Sequence, residues 1–442
     1  MLITRFLGIN SLTTDAKKTM LGGTCVYYSS DFVFWLSSTF FILQALSVLT
    51  FAQLGLILAL RQAVQGVLDY PTGVLGDWLS HRVVLFLSAI SYSLSFVCFA
   101  IALDFFSFSL AFFLLAIATS QDSGTYQAWF DNNYKVYAYE DKEHQIYSEF
   151  MGKLRMIRLF VMASALPIGG ILCSIFGRTT IFLIQSMTYI LLALLFLRYL
   201  RDHPKLNHNR HHNRSDFGSY FSLLGDGLKI SVGNKTLFAI IIGSIINQGI
   251  AGAIWGNFIL FPMYESYGKT DEFIAFARAM LYLSLATLTG VAGIYIRRLS
   301  NTSARKLLSI NMFTRDVLFY GGFVMLLVMF PPSDYFNLTS FLALITIGCF
   351  VQLAYCATNL LTQRLFLDLI PDKNRNSIYS LIPTFAIFLN IPALVIGGFL
   401  CEILEPSTVI LLIMAISIIG SFLIGVAVLK YREIQDNGNF DR

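Results

Sequence analysis

The sequence predicts an all-α membrane protein with twelve transmembrane helices in two pseudo-symmetric six-helix bundles. Three observations predict this fold class: the composition, the number of apolar segments and a motif repeated between the halves. Of the 442 residues, 56% are hydrophobic and only 13% are charged, and the mean hydropathy is +0.67. Ordinary soluble domains are about one-quarter charged, so the surplus apolar surface must face lipid. The net charge of +5 is spread over a mostly apolar chain, which argues against a disordered or nucleic-acid-binding protein.

Apolar segments of spanning length occur in two sets of six. A helix of about 20 mainly apolar residues crosses the hydrocarbon core. The polar segment 198–235 separates the two sets. We therefore expect an N-terminal bundle at 1–200, a cytoplasmic linker at 201–235 and a C-terminal bundle with a short cytoplasmic tail at 236–442. The predicted spans, in order, are 20–43, 51–74, 83–103, 107–130, 150–176, 179–197, 237–263, 273–296, 307–330, 338–361, 377–400 and 406–429.

Lysine and arginine are unevenly distributed over the connections between these spans. Of the 31, 24 lie in the N-terminal segment, the even-numbered connections and the tail, whereas the odd-numbered connections carry only Arg178 and Lys269. Basic residues favour the cytoplasmic side, so both termini are predicted to be cytoplasmic in a multi-pass protein of the plasma or inner membrane. The remaining five lie inside spans: Arg61, Arg155, Arg158, Arg278 and Arg315.

Cysteine and histidine predict neither a metal site nor a cofactor. The six cysteines are dispersed without CxxC spacing. Four of the six histidines lie in the polar segment, where neighbouring arginines would repel a cation. No nucleophile–base pair occurs at membrane depth, so we do not expect an enzyme. The expected partners are a small-molecule substrate, the lipid bilayer and, as a candidate coupling ion, protons, with no nucleic acid and a monomeric state. The four histidines are His203, His208, His211 and His212.

The two sets of spans look like copies of one another. Thr72-Gly-Val-Leu-Gly-Asp-Trp78 aligns with Thr289-Gly-Val-Ala-Gly-Ile-Tyr295 at an offset of 217 residues. At this offset Arg61 falls on Arg278, and Asp31 falls on Gln248. Agreement between a motif, an intramembrane arginine and the number of spans indicates an internal duplication.

Motifs at the ends of spans two and four resemble the major facilitator superfamily of secondary transporters. Gly73-Val-Leu-Gly-Asp77-Trp-Leu-Ser-His81-Arg82 is similar to its Gly-x-Leu-Ala-Asp-Arg-x-Gly-Arg-Arg loop, with Ser80 and His81 replacing the usual glycine and first basic residue. Asp69-Tyr-Pro-Thr-Gly73 and Ser123-Gly-Thr-Tyr-Gln-Ala128 resemble the Glu-x-Pro-Thr-Gly and Ser-Gly-Thr-x-x-Ala motifs of a prokaryotic branch.

The resemblance implies alternating access, with spans one, two, four, five, seven, eight, ten and eleven around a central cavity. It also implies a conformational latch at the cytoplasmic ends of the helices. An aspartate there can accept hydrogen bonds from helix ends, and an arginine can bind exposed carbonyls or a carboxylate. The alternative is that these are solvated loop charges. The predicted latch residues are Asp69, Gly73, Asp77, Arg82 and Asp131.

Charges inside the spans mark the candidate site, because a charge at bilayer depth is costly unless it faces a partner or water. Arg61 lies near the middle of span two, and Arg278 has no acidic residue at midplane depth on spans seven, ten or eleven. The missing negative charge is then the substrate, since an arginine fork binds planar oxyanions. This resembles the superfamily's nitrate and nitrite porters, whose glycine-rich signatures are absent here. The predicted substrate-binding residues are Arg61, Arg278, Asp31, Gln248, Asn247 and Gln65, with Asp31 and Asp122 as proton-coupling candidates.

Two alternatives stay open at this point. In the first, the charges are structural: Asp31 pairs with Arg61, Asp122 pairs with Arg155 or Arg158, and Arg278 finds Asp316 or helix-end carbonyls. In the second, the two aspartates face the cavity as a cation site. The predicted function is therefore secondary active transport of a small solute, an organic or inorganic anion, with a proton-coupled exporter of lipophilic cations as the alternative.

Overall fold

The structure, a computed structural model, describes residues 7, 12–137, 145–201, 233–369 and 375–438. Within these ranges it contains helices and no strands. We label twelve helical segments α1–α12 in chain order. The first six are α1 (Thr14–Ser37, followed by Phe40–Leu46), α2 (Phe51–Leu79), α3 (His81–Ile101), α4 (Phe105–Asp122 and Thr125–Tyr137), α5 (Gln145–Phe176) and α6 (Arg178–Tyr199).

The second set begins with α7, an interrupted helix. It runs through Lys235–Ile246, Gly252–Ile254 and Leu260–Gly268, joined by single π-helical turns at Asn247–Ala251 and Trp255–Ile259. The others are α8 (Asp271–Arg297), α9 (Asn301–Met329), α10 (Leu338–Leu369), α11 (Arg375–Ile403) and α12 (Pro406–Gly438).

Eleven of these segments, α2 to α12, contain a stretch long and apolar enough to cross a membrane. Only α1 falls short among the described helices, because Asp31 and a run of serine, threonine and tyrosine lower its hydropathy. Its place in the fold nevertheless matches the first predicted span. The prediction of an all-α membrane protein is confirmed.

The chain divides into two compact units. Unit 1 comprises Met1–Leu49 and Leu60–Ser215, and unit 2 comprises Thr50–Ala59 and Asp216–Arg442. The start of α2 therefore belongs to unit 2, where the Ala52 N–H donates to the Glu402 carboxylate of α11 (3.0 Å). The linker histidines lie outside the described residues, and the boundaries 1–200, 201–235 and 236–442 stay a prediction.

The core of unit 1 is aromatic where α3 meets α6. The rings of Tyr92 and Tyr189 lie 4.9 Å apart, and Phe99 lies 5.6 Å from Phe182. Offset and tilted aromatic pairs of this kind add to the burial of apolar area. Buried aromatic side chains therefore join α3 to α6.

In unit 2, α7 and α12 approach closely at a pair of glycines. A Cβ added to Gly243 would lie 2.5 Å from the Gly420 carbonyl oxygen and 2.6 Å from Ile424 Cγ1. Small residues allow such backbone contact between membrane helices. The glycines therefore set the distance between α7 and α12.

Ser80, between α2 and α3, adopts a backbone conformation that favours glycine. Its φ is +126°, and its hydroxyl is buried with no hydrogen-bond partner among the described residues. A side chain is disfavoured at such a φ. In the loop motif that this segment resembles, a glycine occupies the position of Ser80.

Candidate functional site

Asp31 of α1 forms a two-bond ion pair with Arg158 of α5. Arg158 donates from Nε to Asp31 Oδ2 (2.7 Å) and from Nη2 to Oδ1 (3.1 Å). The Asp31 side chain is 10% exposed, whereas that of Arg158 is 46% exposed. This corrects the expectation that Asp31 pairs with Arg61. Of the two partners expected for Asp122, Arg158 is bound to Asp31, and the side chain of Arg155 lies outside the described residues. Spacing along the chain cannot show that α1 packs on α5 with these two side chains facing each other.

Asp122 of α4 belongs to a cluster of tyrosines beside that ion pair. The Tyr27 hydroxyl donates to Asp122 Oδ2 (3.4 Å), and the Tyr27 ring is stacked on Tyr126 with centroids 3.8 Å apart. The Arg158 guanidinium lies 6.0 Å from the Tyr27 ring. The two proton-coupling candidates, Asp31 and Asp122, are thus linked through one tyrosine and one arginine.

Three polar residues lie on α2 at intervals of four residues: Arg61, Gln65 and Asp69. Arg61 Nε and Asp69 Oδ1 are buried atoms without a hydrogen-bond partner in the described part of the chain. The Thr72 hydroxyl ties this helix to α4 by donating to the Ser120 carbonyl (2.9 Å). A buried guanidinium nitrogen with an unused N–H can donate to a ligand, so Arg61 remains a predicted site residue.

The predicted latch is described only in part. Arg82 is exposed, and Asp131 accepts a hydrogen bond from Gln127 of its own helix (2.8 Å). The side chain of Asp77 and the surroundings of Gly73 lie outside the description. The latch therefore stays a prediction.

Arg278 of α8 lies in a cavity of 290 Å³ in unit 2, here called the Arg278 cavity. Arg278 is 8% exposed, and its guanidinium carbon lies 4.9 Å from the Phe261 ring and 5.5 Å from the Tyr282 ring. Contacts of this kind stabilise a cation away from water. The cavity is otherwise lined by Trp255, Gly256, Leu260, Tyr264, Leu281, Leu285, Phe319, Phe323 and Gln352.

A second cavity of unit 2, of 460 Å³, lies beside Arg315 of α9 and is here called the Arg315 cavity. Its lining is mostly amide and hydroxyl groups, contributed by α7 and α10. The guanidinium carbon of Arg315 lies 4.6 Å from the ring of Tyr355. The lining residues are Ser244, Asn247, Gln248, Met312, Arg315, Tyr355, Thr358, Asn359, Thr362 and Ile424.

Arg315 is held by a buried polar network that joins α7, α9 and α12. Its Nε donates to Asp316 Oδ1 (2.9 Å), and its Nη2 donates to Ser421 Oγ (2.7 Å). Arg315 and Asp316 are only 5% and 1% exposed. The Asn247 amide satisfies both of its ends when its oxygen faces Arg315 (2.9 Å) and its nitrogen faces the Ser417 carbonyl (2.8 Å). Asn247 therefore positions Arg315.

Comparison with known proteins identifies the family. A sequence model described as the Major Facilitator Superfamily matches residues 20–366, which is well over half of the chain. The chain belongs to this superfamily. It is therefore a multi-pass membrane transporter. A comparison with curated individual proteins finds no match.

Solved structures with the same fold are also transporters. The structure of the nucleoside transporter NupG has a TM-score of 0.70 and 14% identity, covering 93% of this chain and 99% of that one. A POT family transporter in complex with 5-aminolevulinic acid has a TM-score of 0.64 and 11% identity, covering 93% and 96%. At such identities the likeness shows the shared fold alone.

The structure separates site residues that the sequence groups together. Arg278 lines one cavity of this superfamily member, whereas Asn247 and Gln248 line the other. Phe319 and Tyr355, with ring centroids 5.2 Å apart, stand between the two cavities, each lining one. The family resemblance places α9 outside the central cavity, yet α9 contributes to both cavities inside unit 2.

Arg315 is the site residue that the sequence analysis missed. No role is predicted for it from the sequence, because the family resemblance leaves its span, the ninth, out of the helices around the central cavity. The available signal was the pair Arg315 and Asp316, two adjacent opposite charges within an otherwise apolar span. Such residues in membrane helices usually face the protein interior and mark a functional region.

The two π-helical turns of α7 lie beside the two cavities. The first carries Asn247 and Gln248, and the second carries Trp255. An extra residue in a helical turn shifts the backbone and is frequent at functional sites. Asn390 of α11, oriented to donate, bonds the Gly249 carbonyl in the first turn. Asn390 thus connects two helices, whereas Asn257 donates to the Ala253 carbonyl within α7 (2.8 Å).

Proposed function

We propose that this transporter carries a small anionic solute by secondary active transport and that Arg278 receives the anionic group. The observation that carries the proposal is the position of the Arg278 guanidinium, nearly buried, lining a cavity and held over the rings of Phe261 and Tyr282. A guanidinium combines stacking on aromatic rings with bidentate hydrogen bonding to a carboxylate or similar oxyanion.

The acids support an anion rather than a cation as substrate. In each of the two ion pairs described within the spans, an aspartate is bound to an arginine: Asp31 to Arg158, and Asp316 to Arg315. A lipophilic cation could bind Asp31 only after displacing a two-bond arginine partner. The exporter alternative therefore has less support, although Asp31 and Asp122 remain the proton-coupling candidates.

The dimensions of the Arg278 cavity favour a small solute. At 290 Å³ it lies at the lower end of ligand cavities, which range from about 300 to 1,000 Å³. Its walls are mostly aromatic, and Gln352 of α10 adds a polar group. A short carboxylate or an inorganic anion is accommodated there. Arg61, at the equivalent position of the first half, is the second candidate donor.

Arg278→Gln is the substitution that tests the anion site. It removes the charge with little change in size, and we expect uptake of nitrate, acetate or succinate into proteoliposomes to fall about ten- to hundredfold, because a charge-assisted hydrogen bond contributes about 1.5–3 kcal/mol. Arg278→Lys, which keeps the charge but not the fork, should retain part of the uptake.

Arg298→Gln is the matched control, since Arg298 is exposed at the end of the same helix. Anion uptake by this variant should equal that of the unmodified protein. Anion uptake that is unchanged in Arg278→Gln, or cation export that depends on Asp31 alone, would contradict the proposal.

A further inference from the structure

We infer that the Arg315 cavity is a second binding site, and that it takes an uncharged polar solute carrying both hydrogen-bond donors and acceptors. It is distinct from the Arg278 cavity, from which Phe319 and Tyr355 separate it. The inference does not depend on the anion proposal, because the two cavities differ in their lining residues and in their charge.

The charge of the Arg315 cavity is balanced by the protein itself. Asp316 lies 2.8 Å from Arg315 Nη2 and accepts from Nε, and both residues are almost completely buried. The Ser421 hydroxyl bridges them, accepting from Arg315 and donating to Asp316. Asp316 is not among the lining residues, but its carboxylate is in direct contact with the guanidinium, so an anion entering the cavity would approach a positive charge that is already compensated. A net-neutral site selects against ions of either sign.

The polar groups that remain are of the type that recognises uncharged molecules. Gln248 contributes an amide, which both donates and accepts, and Thr362 contributes a hydroxyl, whereas the Thr358 hydroxyl already donates to the Ala354 carbonyl and accepts from the Asn311 amide. The Thr362 oxygen is buried and has no hydrogen-bond partner within the described residues. A buried polar atom left unpaired is costly and normally has a partner. Rotation of the Thr362 side chain toward the cavity would let a ligand hydroxyl or amide supply it.

Some polar residues of the lining connect helices, as Asn247 does, and others do not. Asn247 is committed to Arg315 and Ser417, so it acts as a link between α7, α9 and α12. The Thr362 hydroxyl takes no part in that network, and Gln248 is exposed. Polar side chains beyond those needed for packing therefore face the cavity.

Size and shape agree with a small neutral solute. The cavity volume of 460 Å³ is within the range of about 300 to 1,000 Å³ that holds metabolites. The Tyr355 ring forms one wall and is backed by the Arg315 guanidinium, which fixes its position. Met312 and Ile424 supply the apolar part of the lining. A ring-shaped polyol or an aromatic amide has the matching combination of flat faces and polar edges.

Thermal shifts of the purified full-length protein with two matched pairs of probes test the inference. The pairs are D-glucose with D-glucuronate, and nicotinamide with nicotinate, so the two members of each pair differ mainly in charge. We expect an uncharged member to raise Tm more than its anionic counterpart. Thr362→Val and Gln248→Leu should each weaken the apparent affinity about tenfold, as expected for the loss of one buried hydrogen bond of about 1.4 kcal/mol.

Gln352→Leu is the matched control, because it makes the same change in the Arg278 cavity and should leave the neutral-probe shift intact. Arg278→Gln should also leave it intact. The inference is overturned if the shift follows the anionic members, if it survives in both Thr362→Val and Gln248→Leu, or if neither uncharged probe raises Tm. Loss of anion uptake in Arg278→Gln together with no neutral-probe shift would uphold the proposed function and reject this site.

Discussion

At the scale of single residues, the charges inside the membrane are held by specific partners. Asp31 has Arg158, Asp316 has Arg315 and Ser421, and Arg278 lies against aromatic rings. Each arrangement lowers the cost of removing a charge from water. Apart from the adjacent pair on α9 and the Tyr282 ring, which is on the same helix as Arg278, the partners come from different helices, so residue chemistry here depends on helix packing.

Breaking the α9 ion pair should strongly destabilise the protein. Asp316→Asn leaves the Arg315 charge buried beside a neutral amide, and we expect a loss of about 3–5 kcal/mol in the free energy of unfolding. The measurement is denaturant unfolding or Tm of the purified protein. The double variant Arg315→Leu/Asp316→Leu removes both charges and should be more stable than Asp316→Asn. A double variant that is the less stable of the two would show that the pair contributes through more than charge compensation.

The backbone at Ser80 provides a second test at this scale. Ser80→Gly relieves the strain at φ +126°, whereas Ser80→Ala removes the unpaired hydroxyl but keeps the Cβ. The glycine variant should therefore exceed the alanine variant by about 1 kcal/mol in unfolding free energy, since L side chains at such angles cost about 1–2 kcal/mol. Equal Tm values for the two variants would show that the loop relaxes without strain.

At the scale of elements, close helix contacts and interruptions shape unit 2. Glycines bring α7 and α12 together, and two π-helical turns let α7 present Asn247, Gln248 and Trp255 to different cavities. An uninterrupted α-helix would place residues eight apart at a fixed angular offset. The turns change that offset, which is why α7 contributes to both cavities.

The contact between α7 and α12 predicts a position-specific effect of one methyl group. Gly243→Ala places a Cβ against the Gly420 carbonyl, and we expect a loss of about 1–3 kcal/mol in stability from overpacking. Gly321→Ala on α9 is the control, because nothing lies within 4 Å of its added Cβ. Because alanine has a higher helix propensity than glycine, this substitution should be neutral or slightly stabilising. Comparable Tm losses in both variants would contradict the contact argument.

At the scale of the whole molecule, the two halves repeat a sequence pattern but not a polar site. The Asp31 of the first half corresponds to Gln248 in the second, and Arg315 corresponds at the same offset to Cys98. Unit 1 therefore pairs charges between α1 and α5, whereas unit 2 pairs them within α9. Apolar side chains and internal backbone hydrogen bonds are enough to keep a span helical in lipid, so the helical framework does not depend on which polar residues each half carries. The polar residues are free to diverge, and each unit acquires its own chemistry.

The sequence by itself determined the class of protein, the number and order of the spans and the superfamily resemblance. These features are local: bilayer thickness fixes the length of each apolar segment, and backbone hydrogen bonding makes each a helix. Only the tertiary structure decided that Asp31 pairs with Arg158, that Arg315 faces inward and that Arg278 and Gln248 line separate cavities. Partner choice depends on the rotation and packing of helices. In a membrane, an apolar side chain suits lipid and protein interior alike, so hydropathy does not specify that rotation.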